Sequence, residues 1–405
     1  MVSVAEAERI ILATAKDFGT EELRFDAALG RTLAQELLAD RDFPPFNRAT
    51  MDGIAIAFRD WQSGIRSFTI KGTQAAGDEP INIQNPGECI EIMTGAALPP
   101  TTDTVVNYEA LELTHPTALI KDTIIQGQNI HLRGKDKRKG DLLVSTGRII
   151  DPAIIGLAAA TGSTTLLVKK FPRIAIISTG DELVAPDETP SPTQVRRSND
   201  FTVAAVLQQQ GLSTELIPVS DDPTLMRSVL TEALGRFDVV LLSGGVSMGR
   251  FDHVPALLEE LDVQQLFHRV QQRPGKPFWF GQKPDGPTVF AFPGNPVSTF
   301  LCLHRYFLPW LRASLGLHEP KLFAILNEDL QFLPPLQYFL QVSITVSNEG
   351  QLLAKPVTGN GSGDFVNLVS ADAFMELPAE ENNFTRGSAF RIWSFASFPG
   401  LKQTT

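Results

Sequence analysis

Cysteine is nearly absent from this chain. Its 405 residues include only Cys89 and Cys302, far apart and neither in a C-x-x-C spacing. That argues against a disulfide scaffold and a thiolate zinc site, and it fits a reducing compartment. Histidine is scarce too: the six are scattered and form no metal-binding motif. No apolar run approaches the roughly 18 residues that a membrane helix needs. The opening residues, 1–18, mix acids into their apolar pattern, unlike a signal peptide. The protein is therefore expected in the cytoplasm, with no membrane partner. Positive charge is in deficit, at a net −11. Nucleic acid and anionic lipid both call for a basic surface, so neither is expected as a partner. A small anionic substrate stays open, because a few local donors or a bridging cation could hold it. Internal repeats and low-complexity segments are absent.

What is present is an ordinary soluble composition, 43% hydrophobic and 20% charged, at a length that suggests about two to four domains. Residues 4–17 have the pattern of an amphipathic helix, and residues 22–39 that of a second, ended by Pro44-Pro45. From 46 to about 140 the texture becomes short β-type runs, such as Ile54-Ala55-Ile56 and Cys89-Ile90-Glu91-Ile92, punctuated by Gly, Pro and Asn. Residues 141–167 are mixed, with Pro152 near a helix start. From 172 a β-α-β-α rhythm begins. Near-continuous apolar strands at 173–178, 214–219, 238–242 and 288–292 imply a parallel sheet covered on both faces. Asp222-Pro223 reads as an N-cap followed by a first-turn proline, and Ser198 or Asn199 as another cap. After Gly316 the pattern is β again.

Ligands of an open α/β sheet bind at the carboxyl ends of its strands. Three glycine- or proline-rich loops fall there: Ser178-Thr179-Gly180-Asp181-Glu182, Ser243-Gly244-Gly245-Val246-Ser247 and Pro293-Gly294-Asn295-Pro296. Glycines let backbone N–H groups approach an anion closely. Each loop alone could be a tight turn; three at one sheet edge point to an anion site. Arg273 and Lys276, in RPGKP, add cations: Arg can fork onto an oxyanion, and Lys acts as a point charge. Acids recur in loops at Asp52, Asp136, Asp181, Glu182, Asp221, Asp222 and Asp252. Mg2+ is usually held by one or two carboxylates with substrate phosphate and water, and a carboxylate can also orient a water. Spacing does not separate these roles. Asp222 is most simply a helix cap, and Asp52 in Met51-Asp52-Gly53 a turn former. Thr94, in Met93-Thr94-Gly95-Ala96, offers a hydroxyl in what reads by default as a strand-end turn.

In order along the chain, these motifs resemble the molybdopterin molybdenumtransferase family, the molybdenum insertases that include bacterial MoeA and the E domain of gephyrin. The resemblance runs through PPFNRATMDGIA (44–55), IMTGAALP (92–99), NIHLRGKD (129–136), STGDEL (178–183), SDDP (220–223), LLSGGVSMG (241–249), RPGKPFWFG (273–281) and FPGNPVS (292–298), with a short match at Ser362-Gly363. It implies insertion of molybdenum from molybdate into adenylylated molybdopterin, with release of AMP and a need for Mg2+. It also implies a homodimer whose active cleft lies between the sheet domain of one subunit and the small β domain of the other.

By resemblance, the fold is multidomain α/β plus β. A central doubly wound, molybdopterin-binding type domain spans 1–19 and 168–318. A small, mostly β domain spans 39–140, a mixed linking and dimerisation domain 20–38 and 141–167, and a C-terminal β-barrel-like domain 319–405. The family's catalytic positions fall on Asp52, Thr94, Asp136, Glu182 and Lys276. Its substrate- and anion-binding positions fall on Ser178, Thr179, Gly180, Ser243, Gly244, Gly245, Ser247, Arg273, Pro293, Gly294, Asn295 and Pro296, and its metal positions on Asp221 or Asp222, Asp252 and Glu182. Three departures stand out. Ala49 and Ile54 replace the usual Ser and Tyr around Met-Asp-Gly, and Arg197 stands where many members carry an acid before Ser-Asn. The first cation of the basic loop, often Lys, is Arg273. Two rival readings are a molybdopterin adenylyltransferase, which shares the sheet domain but not the flanking β domains, and a non-catalytic pterin-binding scaffold.

Overall fold

The computed structural model describes residues 1–246, 253–357, 359 and 361–395. The chain divides into two compact units. One comprises Met1–Glu21, Gly30–Thr32 and the chain from Leu167 onward; the other comprises Glu22–Leu29 and Leu33–Leu166.

The first unit is organised around a six-stranded sheet in the order Thr214–Val219, Ile174–Thr179, Val239–Ser243, Thr288–Phe292, Trp279–Gln282, Gln264–His268. The first four strands are parallel. Their residues alternate between two cores. Ile174, Ile176, Val239, Leu241, Phe290 and Phe292 pack on one face with the helices Asn199–Gln209 and Pro296–Cys302. Ala175, Ile177, Val240, Leu242, Val289 and Ala291 pack on the other with Pro223–Arg236 and Val254–Glu260. Burial on both faces explains the unbroken apolar runs. The two remaining strands each lie antiparallel to their neighbour, so the sheet is mixed where the strand pattern predicts a parallel one. Their sequences, QQLFH and WFGQ, carry too little apolar run to announce themselves. The helix expected over 4–17 ends at Ala13, and its start is capped by Ser3, whose hydroxyl accepts from the Glu6 N–H.

Beyond the sheet, five strands close on themselves in the order Gln337–Val346, Leu352–Pro356, Leu322–Leu326, Ala389–Ser394, Ala373–Leu377, which returns to the first. This barrel is filled by alternate residues such as Leu340, Val342 and Ile344. A two-residue strand, Gln272–Arg273, pairs in parallel with Gln337 and Tyr338 at the barrel rim.

The second unit is mostly β. Its main sheet runs Thr104–Asn107, Gly53–Ile56, Glu88–Ile92, Ser67–Gln74, Thr117–Ile120, Leu111–Thr114. The helix Pro152–Ala160 begins at Asp151, whose carboxylate accepts from the Ile154 N–H. The helix expected over 22–39 does not form. Residues Thr20–Arg24 are extended, Phe25–Ala27 make one tight turn, Gly30 has φ 78°, and Leu37–Leu38 pair with Leu142 and Val144. Pairing with distant strands overrides a helix-compatible composition here.

Candidate active site

The parallel register brings Ser178, Ser243 and Phe292 side by side at one sheet edge. The strand Ile174–Thr179 is followed in the chain by Thr214–Val219 on one side, while Val239–Ser243 lies on the other. That reversal of direction opens a crevice at the ends of the strands Ile174–Thr179 and Val239–Ser243, where ligands of such sheets bind. A cavity of about 650 Å³ occupies it, lined among others by Thr179, Gly180, Glu182, Asp221, Gly244 and Gly294. The glycines are needed there. Gly244 has φ 102°, and a Cβ on it would stand 2.6 Å from the Thr179 carbonyl oxygen. Gly245 has φ 70°, and its Cβ would meet Val254 at 2.6 Å. The backbone can follow this path only without side chains, and it leaves the loop open to a close-lying oxyanion.

Asn199 holds two of these loops together. Its side-chain amide donates to Ser243 Oγ and to the Gly294 carbonyl, each at 2.8 Å. Sequence reasoning sees Asn199 only as a possible cap; a side chain that bridges two loops 44 and 95 residues away leaves no local signal. Asn295 in turn donates to Ser362 Oγ at 2.9 Å, and the Val297 N–H reaches the Ser362 carbonyl at 3.2 Å. Thr299 Oγ1 donates to the Pro293 carbonyl at 2.6 Å, fixing the start of the helix that opens at Pro296.

The RPGKP turn lines an adjoining cavity of about 600 Å³, with Asn295, Ser298, Tyr338 and Ser362 on its other sides. The two cavities share Pro277, Pro293, Asn295 and Gly363 as walls. Gln272, fully buried, anchors the turn: its amide donates to the Gly275 carbonyl at 3.3 Å, and it accepts from the Tyr306 hydroxyl. Among the described residues neither Arg273 nor Lys276 is paired with a carboxylate, and both are exposed. Arg273 lies over the Phe332 ring at 5.8 Å, and Phe332 stacks on Tyr338 at 4.1 Å. Two uncompensated cations on a rigid turn suit an oxyanion.

The acids are distributed differently. Glu182 and Asp221 line the sheet-edge cavity. The Glu182 carboxylate lies flat against Gly180, where a Cβ would come within 2.8 Å of both oxygens. Asp221 accepts from the Thr179 hydroxyl, and its N–H donates to Asp181 Oδ1 at 3.0 Å. Asp222 is occupied as the cap of Pro223–Arg236, accepting from the N–H groups of Thr224 and Leu225 at 2.9 Å each. Ser247 and Asp252 lie outside the described residues. Among the described residues no three acid, imidazole or thiol side chains converge on a point that could hold a cation. Hard oxygens from Glu182 and Asp221 in one cavity fit a Mg2+ only if substrate oxygens and water complete its shell, which is that ion's usual habit.

Asp52 and Thr94 meet in the second unit. Asp52 Oδ1 accepts from the Thr94 hydroxyl at 2.7 Å and from its N–H at 2.6 Å. These bonds hold the Asp52 carboxyl below its ordinary range, the hydroxyl acting most strongly. Both side chains are exposed. Gly53 sits in the sheet between Ile92 and Asn107, and a Cβ there would stand 1.9 Å from the Val106 carbonyl oxygen. Asp136 lies at the end of a short polar chain: its Oδ1 is 2.9 Å from His131 Nε2, and Arg48 reaches His131 Nδ1 at 3.3 Å. An arginine cannot accept, so it donates to Nδ1 and leaves the His131 proton on Nε2, facing Asp136.

A doubly wound sheet with glycine loops, two carboxylates and a basic turn around joined cavities defines an α/β protein whose site has the donors and cations that suit an anionic ligand. Three family models match in chain order: "MoeA N-terminal region (domain I and II)" over residues 2–162, "Probable molybdopterin binding domain" over 175–313, and "MoeA C-terminal region (domain IV)" over 324–395. The molybdopterin molybdenumtransferase of Synechocystis sp. is 35% identical across 98% of this chain and 100% of its own length. That of Staphylococcus epidermidis is 30% identical across 96% and 94%. The crystal structure of the molybdopterin biosynthesis MoeA protein from Pyrococcus horikosii covers 98% of this chain and 100% of its own, with a TM-score of 0.83 at 28% identity. The chain belongs to the molybdopterin molybdenumtransferase family, whose members are transferases of molybdenum cofactor biosynthesis.

Proposed function

We propose that the protein inserts molybdenum from molybdate into adenylylated molybdopterin and releases AMP. The observation that carries this reading is the pair of joined cavities: glycine loops and two carboxylates line one, and two cations without a carboxylate partner among the described residues line the other. The backbone N–H groups of Gly245 and Gly294 donate to phosphate oxygens of the bound nucleotide. Arg273 and Lys276 hold oxygens of molybdate or of the pterin phosphate. Preorganised donors of this kind contribute about 3 kcal/mol each to stabilising a developing anion. Glu182 and Asp221 would hold Mg2+ together with substrate oxygens, and the ion would supply positive charge against the pyrophosphate. A water oxygen, oriented by a cavity carboxylate, attacks the AMP phosphorus; the P–O bond to the pterin phosphate breaks, the pterin keeps its phosphate, and AMP leaves with the water oxygen. Asp52, Thr94 and Asp136 are assigned to the same reaction on the strength of the family motifs.

The reading includes a homodimer joined through 20–38 and 141–167, and a cytoplasmic location. The test follows AMP release by the purified protein from adenylylated molybdopterin with molybdate and Mg2+. AMP should appear only with both additions, and Asp52→Asn and Glu182→Gln should slow it by at least about tenfold. Absence of AMP, or equal rates in both variants, would sink the assignment. Consumption of ATP with molybdopterin instead would identify an adenylyltransferase.

A further inference from the structure

Arg197 is a cation at the sheet edge, immediately before Ser198 and Asn199. It lines the 650 Å³ cavity together with the glycine loops, and also a neighbouring cavity of about 330 Å³ formed with Asp181, Glu188 and Ser220. Its side chain is only 15% exposed. Nη1 donates to Oδ2 of Asp200 at 3.1 Å, and Asp200 is itself buried at 1% exposure. The guanidinium also lies 5.6 Å from the centre of the Phe201 ring. Asp200 Oδ1 accepts from the Phe201 N–H at 3.0 Å, and Ser178 Oγ donates to Oδ2 at 3.4 Å. The acid is thus fixed by the strand end and by the helix start, and it fixes the arginine in turn.

A guanidinium has five N–H donors. Among the described residues, Arg197 uses one group, Nη1, on a protein acceptor. We infer that Arg197, anchored by buried Asp200, is a phosphate-recognising residue of this chain that presents its remaining donors to the nucleotide-side phosphate in the sheet-edge cavity. The inference rests on the site proposed above and adds a side-chain cation to a wall otherwise supplied by backbone amides. The need for it is electrostatic: Glu182 and Asp221 face the same space and would offset the charge of one divalent cation between them, so the charge of a polyanionic ligand is left for a further cation to meet. Arg suits this better than Lys, since one edge of the fork can stay on Asp200 while the other grips a phosphate.

The experiment measures binding of inorganic pyrophosphate by titration calorimetry, with thermal melting recorded for each protein. The set is wild type, Arg197→Ala, Arg197→Lys and Lys276→Ala. The expected result is a Kd raised at least about tenfold in Arg197→Ala and about threefold in Arg197→Lys. If Arg197→Ala does not fold, the lysine variant decides, because it keeps a charge against Asp200. A lowered melting temperature with wild-type Kd in the folded Arg197 variants would make the Arg197–Asp200 pair a structural tie and overturn the inference. If that occurs while Lys276→Ala still weakens binding, the proposed site stands without Arg197. If wild type binds no pyrophosphate, both fall together.

Discussion

Thr94 spends two donors, its hydroxyl and its backbone N–H, on a single oxygen of Asp52, at 2.7 and 2.6 Å. The second carboxylate oxygen takes part in neither bond. The pair is an oriented, ionised carboxylate at the surface of the smaller unit. Because its pKa is lowered, what it adds to stability is present above the ordinary carboxylate range and is lost as pH falls through the lowered value. Thr94→Val keeps the N–H and removes the hydroxyl, the larger cause. We expect the Asp52 carboxyl, followed by carbon NMR through an acid titration, to move up toward its ordinary value in this variant, with AMP release reduced. An unmoved titration would separate the two residues.

Gly53 is fixed by packing. Its missing Cβ would stand 1.9 Å from the Val106 carbonyl oxygen. Gly53→Ala should therefore push the strand Gly53–Ile56 away from Thr104–Asn107 and destabilise the protein by about 1–3 kcal/mol, as overpacking does. Urea denaturation monitors this, and a wild-type midpoint would contradict the geometry.

Lys276 stands exposed and without an acid partner among the described residues. Removing it leaves no buried charge behind, so Lys276→Ala should melt close to wild type. A lost charged hydrogen bond costs about 1.5–3 kcal/mol, so the KM for molybdate should rise roughly ten- to a hundredfold. Saturation kinetics at fixed ionic strength measure it.

Asn199→Ala removes both bonds that join the glycine loop to the proline loop. At about 1 kcal/mol per neutral hydrogen bond, stability should fall by roughly 2 kcal/mol. Catalysis should suffer more than stability, because two loops lose their register at once. A variant that loses stability but retains kcat would show that the loops hold without it.

His304 is buried, and burial depresses its pKa from 6.5 to about 3; its Nε2 has no hydrogen-bond partner among the described residues. The folded protein keeps it neutral while the unfolded chain protonates it. Stability should therefore fall as pH drops below 6.5, by up to about 1.4 kcal/mol per unit from this residue, levelling near pH 3. His304→Phe, which keeps a ring against Phe300 at a site where the centroids are 4.5 Å apart, should flatten that slope in denaturation curves measured between pH 4 and 7.

The parallel strands were legible because burial on both faces forces continuous apolar runs, and their loops were legible because only glycine and proline make those turns. Asp222 announced its own cap. Residues 22–39 misled because Leu and Ala spaced at helical intervals also serve where Leu37–Leu38 pairs with Leu142 and Val144, and a ladder more than a hundred residues away does not register locally. The antiparallel strands at 264–268 and 279–282 were hidden by polar composition. Within the site, the cations and glycines could be named in advance. The brackets that hold them could not: Asn199, Gln272 and Asp200 act on partners distant in sequence or through burial that a linear pattern does not record.

The short ladder between Gln272–Arg273 and Gln337–Tyr338 has a consequence for exchanging parts between proteins. A basic turn stitched to the barrel rim is not the property of the sheet domain that contains it. A transplanted barrel would reset where Arg273 points, and a sheet domain expressed alone would keep its glycine loops while its cations lost their template. Modularity in this chain therefore stops at the barrel rim: the last domain behaves as a mould for the site rather than an appendage to it.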